Sequence, residues 1–409
     1  VKLLIISCLV FPLSLELALA GFTYFLISRI LSIQAKYFSV LLKSCLGIMI
    51  AIAMINLYIE SRSHLYPVSI YDYLLLIVTV GIIKLCPLKV DSIYQICWAI
   101  NSSLLVVFFK YLSLFDFTLR NHWGFENPNW LGLYCSMCLP LSISILINQL
   151  QKNDCELQIS KKIGKISAFI PIAALIVNLI MLLSSGSRSS FYTSLFVILL
   201  VFLKFILKFP RSRYNKQKLF IFSITSLIFF SLISKLLILK LVFLNRFIDL
   251  GNSTNIYRMR LYKCHLELGL QKPWWGWGTN KVSSLCEEKF KAGSGGVNHA
   301  HNFILQLFAD HGLVVTLFCL LIIIYLTILP TIKLLINYSF DSQKSTIFLG
   351  ISLSSLSILL VSLFQSGFYH YPLFPLWLGL LWGCQLNFAN FSKNERDTSP
   401  LKDTKWRSL

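Results

Sequence analysis

Charge is what this sequence lacks most. Only 13% of its 409 residues are Asp, Glu, Lys or Arg, about half the share of a soluble globular chain. That shortage excludes a soluble enzyme, and a hydrophobic fraction of 56% excludes a disordered chain. Acidic residues are the scarcer sign, 17 against 37 basic, for a formal charge of +20. In a soluble protein that excess would suggest nucleic acid, but cytoplasmic loops of membrane proteins collect Lys and Arg, so no nucleic-acid partner is expected. Internal repeats are absent. Cysteine is not scarce at 11, yet most of these residues lie inside apolar runs, where Cys acts as a small hydrophobe. A disulfide-stapled secreted domain is thereby excluded. The spacing of Cys135 and Cys138 falls within an expected span and gives no metal or redox site. The first apolar run is too long for a signal peptide and lacks a small-residue cleavage site.

What is present is a series of apolar runs, each long enough to cross a bilayer, with a mean hydropathy of +0.71. They predict spans at 3–28, 38–59, 68–86, 93–114, 131–147, 166–183, 191–207, 219–239, 313–329, 347–364 and 373–386. The expected fold is an all-α polytopic membrane bundle of eleven or twelve transmembrane helices, a single membrane domain over 1–409. Placing the basic segment 208–218 in the cytoplasm puts 22 of the 37 Lys and Arg on that side. Ten of the 15 on the other side fall in 235–312, and a long translocated loop escapes the positive-inside rule. Residues 240–312 are therefore expected to be a long outer loop containing short helices, and 387–409 a cytoplasmic tail. All seven histidines fall on the outer side, which points to an active surface there.

Four outer segments carry candidate chemistry. Asn127-Pro-Asn129 precedes a span, as a loop-to-helix turn or as part of a site. Ser184-Ser-Gly-Ser-Arg188 is a tight polar turn between spans, with the second helix expected near Ser189. Arg188 at that helix start is badly placed for the helix dipole but well placed to grip an anion or a headgroup phosphate. Arg258 and Tyr262 share a helix face at i and i+4, and Pro273-Trp-Trp-Gly-Trp-Gly278 offers flat aromatic faces to sugars or, more in keeping with its composition, to the lipid interface. His299-Ala-His301-Asn302 precedes a short surface helix and a break at Asp310-His-Gly312. His-x-His lacks the further ligands a metal needs, so proton transfer by one histidine is the simpler role. Cys264 and Cys286, the only cysteines in the long loop, are candidates for a disulfide or for buried apolar thiols.

In this order, Asn127-Pro-Asn129, Ser185-Gly-Ser187-Arg188, Arg258-x-x-x-Tyr262 with Gly276 and Gly278, and His301-Asn302, the motifs over about 120–330 resemble the O-antigen ligase/polymerase superfamily. The resemblance implies a membrane glycosyltransferase of the bacterial inner membrane with its active site facing the periplasm. Its partners would be an undecaprenyl-pyrophosphate-linked glycan and a glycan or lipid A-core acceptor. It implies that Arg188 and Arg258 bind pyrophosphate and that His301 is the catalytic residue acting at the acceptor hydroxyl, without metal or cofactor. Asn127, Asn129, Ser187, Tyr262, Gly276, Gly278 and Asn302 are candidate supporting residues. Tyr262 departs from the Trp usual in the family, and Ser189-Ser190 from its small Gly-Ala. Ligase, repeat-unit polymerase and an anion (bicarbonate-like) transporter are the three competing readings.

Overall fold

The computed structural model describes residues 88–114, 127–155, 161–207, 253–278, 281–290, 299–337, 343–365 and 373–397, with a few isolated positions before residue 88. Every regular element among them is helical, and the chain is an all-α multi-pass membrane protein. The helices are α1 (Val90–Tyr111), α2 (Pro128–Cys155), α3 (Lys161–Ser185), α4 (Arg188–Leu207), α5 (Ser253–Gln271), α6 (Lys281–Phe290), α7 (Phe303–Ile323), α8 (Leu329–Asn337), α9 (Gln343–Ser362) and α10 (Leu373–Asp397). A π-helical turn, Ile324–Ile328, joins α7 to α8. Seven of the expected spans correspond to helices here. The expected spans at 3–28, 38–59, 68–86 and 219–239 lie outside the described residues, isolated positions apart.

The core is built around α2 and α9. Lipid tails are as apolar as Leu, so helices in a bilayer associate through close packing and polar contacts. Gly350 of α9 supplies the close approach: a Cβ there would stand 2.2 Å from Ser144 Oγ and 3.2 Å from the Pro140 carbonyl of α2. Ser354 Oγ then reaches across to the Met137 carbonyl at 2.7 Å. Other α9 serines return their hydroxyls to their own helix, as Ser357 does to the Leu353 carbonyl. Between α1 and α2, Ser142 Oγ donates to Asn101 Oδ1 at 2.5 Å, and Ser103 Oγ and Tyr134 Oη share a hydrogen bond of 2.7 Å. These polar side chains are buried and partnered inside the protein, where no lipid could satisfy them.

Phe303–Ile336 is a run of 34 residues, about 50 Å of helix, far more than the ~30 Å hydrocarbon core needs. Gly312 resolves the excess. Its φ of 77° and ψ of −179° interrupt the helix, matching the break expected at Asp310-His-Gly312. Beyond it, Val314, Leu317, Phe318, Leu321 and Tyr325 are exposed apolar side chains, the surface of a lipid-facing span. α10 continues to Asp397, so the first part of the expected tail from Asn387 is helical.

Candidate active site

The four motifs meet in two pairs. The first pair joins the start of α2 to the turn between α3 and α4. Asn127 Oδ1 accepts the Asn129 N–H at 2.8 Å, a side-chain cap on a helix that opens with Pro128, where a missing N–H does no harm. One turn later Gly132 lies against the serine turn, where a Cβ would sit 2.6 Å from Ser187 Cβ. α3 ends at Ser185, Gly186 turns with φ 60°, and α4 begins at Arg188. Ser187 Oγ donates to Ser190 Oγ at 2.9 Å, and Gln365, just past α9, donates through Nε2 to Ser187 Oγ at 2.6 Å and Ser189 Oγ at 2.5 Å. Arg188 thus sits on a turn fixed from three sides, at a helix N-terminus whose free N–H groups favour an anion.

The second pair interlocks the turn after α5 with α7. Gly278 N–H donates to the Asp310 carbonyl at 2.8 Å, Trp277 N–H to Ala309 at 3.0 Å, and Leu313 N–H to Pro273 at 2.7 Å. Backbones this close leave no room for a Cβ: at Gly276 (φ 69°) one would lie 2.3 Å from the Asp310 carbonyl oxygen. Gly276 and Gly278, expected among the supporting residues, therefore act by letting two backbones touch. Trp277 Nε1 donates to the Leu268 carbonyl at 2.6 Å, and the Lys272 ammonium lies 3.9 Å from the Trp277 ring centroid. Cys264 and Cys286 form a disulfide, Cα atoms 6.0 Å apart, which ties α5 to α6.

His301 stands just before α7. Glycines apart, it is the only described residue with positive φ, at 50°, a conformation that surrounding contacts must hold. On one side Asn302 Oδ1 accepts the Leu305 N–H at 3.0 Å, so Asn302 caps α7 and fixes the chain after His301. On the other side Ala300 N–H donates to Gln306 Oε1 at 2.9 Å. Gln306 in turn donates to Asp310 Oδ2 at 2.8 Å. It is buried and also lies beside His265 of α5. His299 Nδ1 is 3.5 Å from Ser283 Oγ. Sequence reasoning missed Gln306 and Gln365. The signal for Gln306 was available, because Gln306 and Asp310 are polar residues four apart in an otherwise apolar helix.

Arg258 and Tyr262 share one face of α5, and the charge of Arg188 reaches Arg258. Burial pushes the Arg258 guanidinium below its ordinary range, Tyr262 offsets this, and Arg188 adds to it. Its Nε is buried without a hydrogen-bond partner among the described residues. Burial likewise raises the Tyr262 phenol, with Arg258 pulling the other way, so Tyr262 keeps its proton and can donate it. The charged neighbour of Arg258 is thus a second arginine, Arg188. The charge of Arg188 near an Arg258 whose Nε is buried without a partner suits an anion with several oxygens. No group of three or more His, Cys, Asp and Glu side chains suited to a metal occurs among the described residues.

Residues 173–320 match the family model for O-antigen ligase, the superfamily that the motifs resemble. No curated protein matches the chain. The matched stretch includes Arg188, Arg258, Tyr262 and His301, while Asn127 and Asn129 lie before it.

Proposed function

We propose that this protein transfers a glycan from an undecaprenyl-pyrophosphate carrier to an acceptor hydroxyl such as that of lipid A-core, on the periplasmic face of the inner membrane. The observation that carries the reading is the half-buried Arg258, whose Nε is buried without a partner and whose cationic neighbour is Arg188. The disulfide on the same side of the chain suits an oxidising compartment. Arg188 and Arg258 hold the two phosphates, and Tyr262 donates a hydrogen bond to them. The acceptor oxygen attacks the anomeric carbon from the face opposite the carrier, and the glycosidic C–O bond breaks with its electron pair passing to the diphosphate. Charge therefore builds where the arginines already stand, which stabilises the transition state more than the ground state. His301 takes the hydroxyl proton. The anomeric centre inverts, and the arginines do the electrostatic work a metal would otherwise supply.

Removing a general base costs about 10²–10⁴-fold in rate. In a purified transfer assay, His301→Ala is expected to lose activity on that scale while retaining donor binding, with His299→Ala close to wild type. Arg258→Lys is expected to fail as well, because an ammonium is a point charge without the planar fork. Wild-type transfer by His301→Ala would remove the proton-transfer role. The lipopolysaccharide pattern of a deletion strain separates the related readings. Loss of the whole ladder with accumulated lipid-linked glycan marks a ligase, and a single added repeat marks a polymerase. An unchanged ladder with altered anion uptake overturns both.

A further inference from the structure

The outward face of α5 carries more apolar surface than a water-facing helix tolerates. Ile256, Met259, Leu266 and Leu270 are 51%, 64%, 47% and 62% exposed. They recur at helical spacing, with exposed Lys263 filling the gap, and the opposite face buries Leu261, Cys264 and His265. Trp274 and Trp275, 61% and 54% exposed, extend the stripe past the helix end.

What covers this stripe follows from where the structure places it. The backbone of Pro273 and Trp274 is bonded to and packed against Gly312 and Leu313 of α7. Directly after Gly312 begins the exposed apolar run of Val314, Leu317, Phe318 and Leu321. The two tryptophans therefore stand at the end of a lipid-facing span, the level at which Trp is enriched in membrane proteins. Lys263 within the stripe is exposed and pairs at 3.8 Å with Glu267, the single carboxylate on its border, beside which Arg260 and Lys272 are also exposed. That is the makeup of a helix lying in a headgroup layer.

We propose that α5 and the Trp274–Trp275 pair form an interfacial platform seated on the bilayer, with the stripe in the lipid and the lysines and Arg260 among the phosphates. Tyr262 lies three residues from Met259 and four from Leu266, so the face it shares with Arg258 borders the stripe. A diphosphate carried by a membrane lipid meets Arg258 by moving sideways within its leaflet. The platform rests on the membrane reading and stands whether or not the glycosyl-transfer reading does.

Neighbouring exposed positions on the two sides of α5 test it. Leu270→Trp and Gln271→Trp are placed in full-length protein in nanodiscs of brominated phosphatidylcholine and phosphatidylglycerol, with the wild-type signal of nine tryptophans subtracted. The expected result is quenching at position 270 at least twofold stronger than at 271, with aqueous iodide giving the reverse order. In addition, Trp274→Phe and Trp275→Phe each remove part of the lipid-quenched signal of the wild type. Iodide reaching both positions equally, without lipid quenching, overturns the platform in favour of open solvent. Neither quencher reaching position 270 overturns it in favour of a protein cover, such as a second copy of this chain. No glycan turnover enters the measurement.

Discussion

Residues 303–311 and 313–336 follow one another in a single helical run, yet they obey opposite rules. In the first stretch Phe303, Gln306, Leu307, Ala309, Asp310 and His311 are buried, with Gln306 and Asp310 hydrogen-bonded to each other and Gln306 to the turn at Ala300. In the second, the exposed side chains from Val314 to Ile332 are large and apolar, and the charged Lys333 appears only near the far end. Hydropathy averaged over the run sees one long apolar segment, but its first quarter is protein interior beside His301 and most of the rest faces lipid. The residue between them is Gly312.

The comparison breaks hardest at Gln306. If residues 303–311 serve to hold His301 in its left-handed conformation, Gln306→Leu should lower kcat for transfer by about 10²-fold, the scale at which a misplacement of ~1 Å acts. Gln306→Glu keeps the oxygen that receives the Ala300 N–H and should recover part of the loss. KM for the lipid-linked donor should stay within about twofold, because Arg188 and Arg258 lie on other elements. A fall in folded protein with unchanged kcat would make Gln306 a packing residue only. Steady-state kinetics in nanodiscs separates the two.

Next in size is the divide itself. Gly312 combines φ 77° with ψ −179°, a region essentially closed to residues with a side chain, where strain costs of order 1–3 kcal/mol. A Cβ there would also lie 2.2 Å from the Trp274 carbonyl oxygen. Gly312→Ala should therefore destabilise the protein by more than ~1 kcal/mol in equilibrium unfolding and loosen the contact between α7 and the Trp274–Trp275 turn. Hydrogen exchange at the Leu313 and Gly278 amides reads the loosening directly. Unchanged protection at both would mean that the two backbones meet for some other reason.

Much of this was legible in the sequence. Apolar run length gave helix positions, and the Asp310-His-Gly312 break fell where the helix is interrupted. Arg188 at the start of α4 and the shared face of Arg258 and Tyr262 needed only turn chemistry and helical periodicity. The disulfide was left open because Cα separation is not written in spacing. Gln306 and Gln365 escaped for a different reason. Their partners are a backbone amide six residues back and serines more than 170 residues away, and neither pairing leaves a periodic trace. Gly276 and Gly278 were attached to the site by motif, whereas their physical task is to admit the α7 backbone.

The smallest expected effect concerns pH. His265, on the buried face of α5, has its Nδ1 2.9 Å from the Leu261 carbonyl and 3.6 Å from Cys286 Sγ. A carbonyl only accepts, so Nδ1 carries a proton and donates it to Leu261. Burial is the largest influence on it and pushes its pKa below the usual histidine value, partly offset by the bonds to Leu261 and Gln306. The sign follows from proton counting. Above about pH 6.5 folded and unfolded chains both hold a neutral imidazole, and His265 costs nothing. As pH falls through that value the unfolded chain takes up a proton that the folded one refuses, so stability declines until the folded pKa is reached. Residues 313–336 carry no histidine and lack this sensitivity. Hydrogen exchange should thus show α5 and α6 losing protection between about pH 7 and 5 while residues 313–336 keep theirs. His265→Gln should flatten the response, and equal loss in both regions of the wild type would place the acid sensitivity elsewhere.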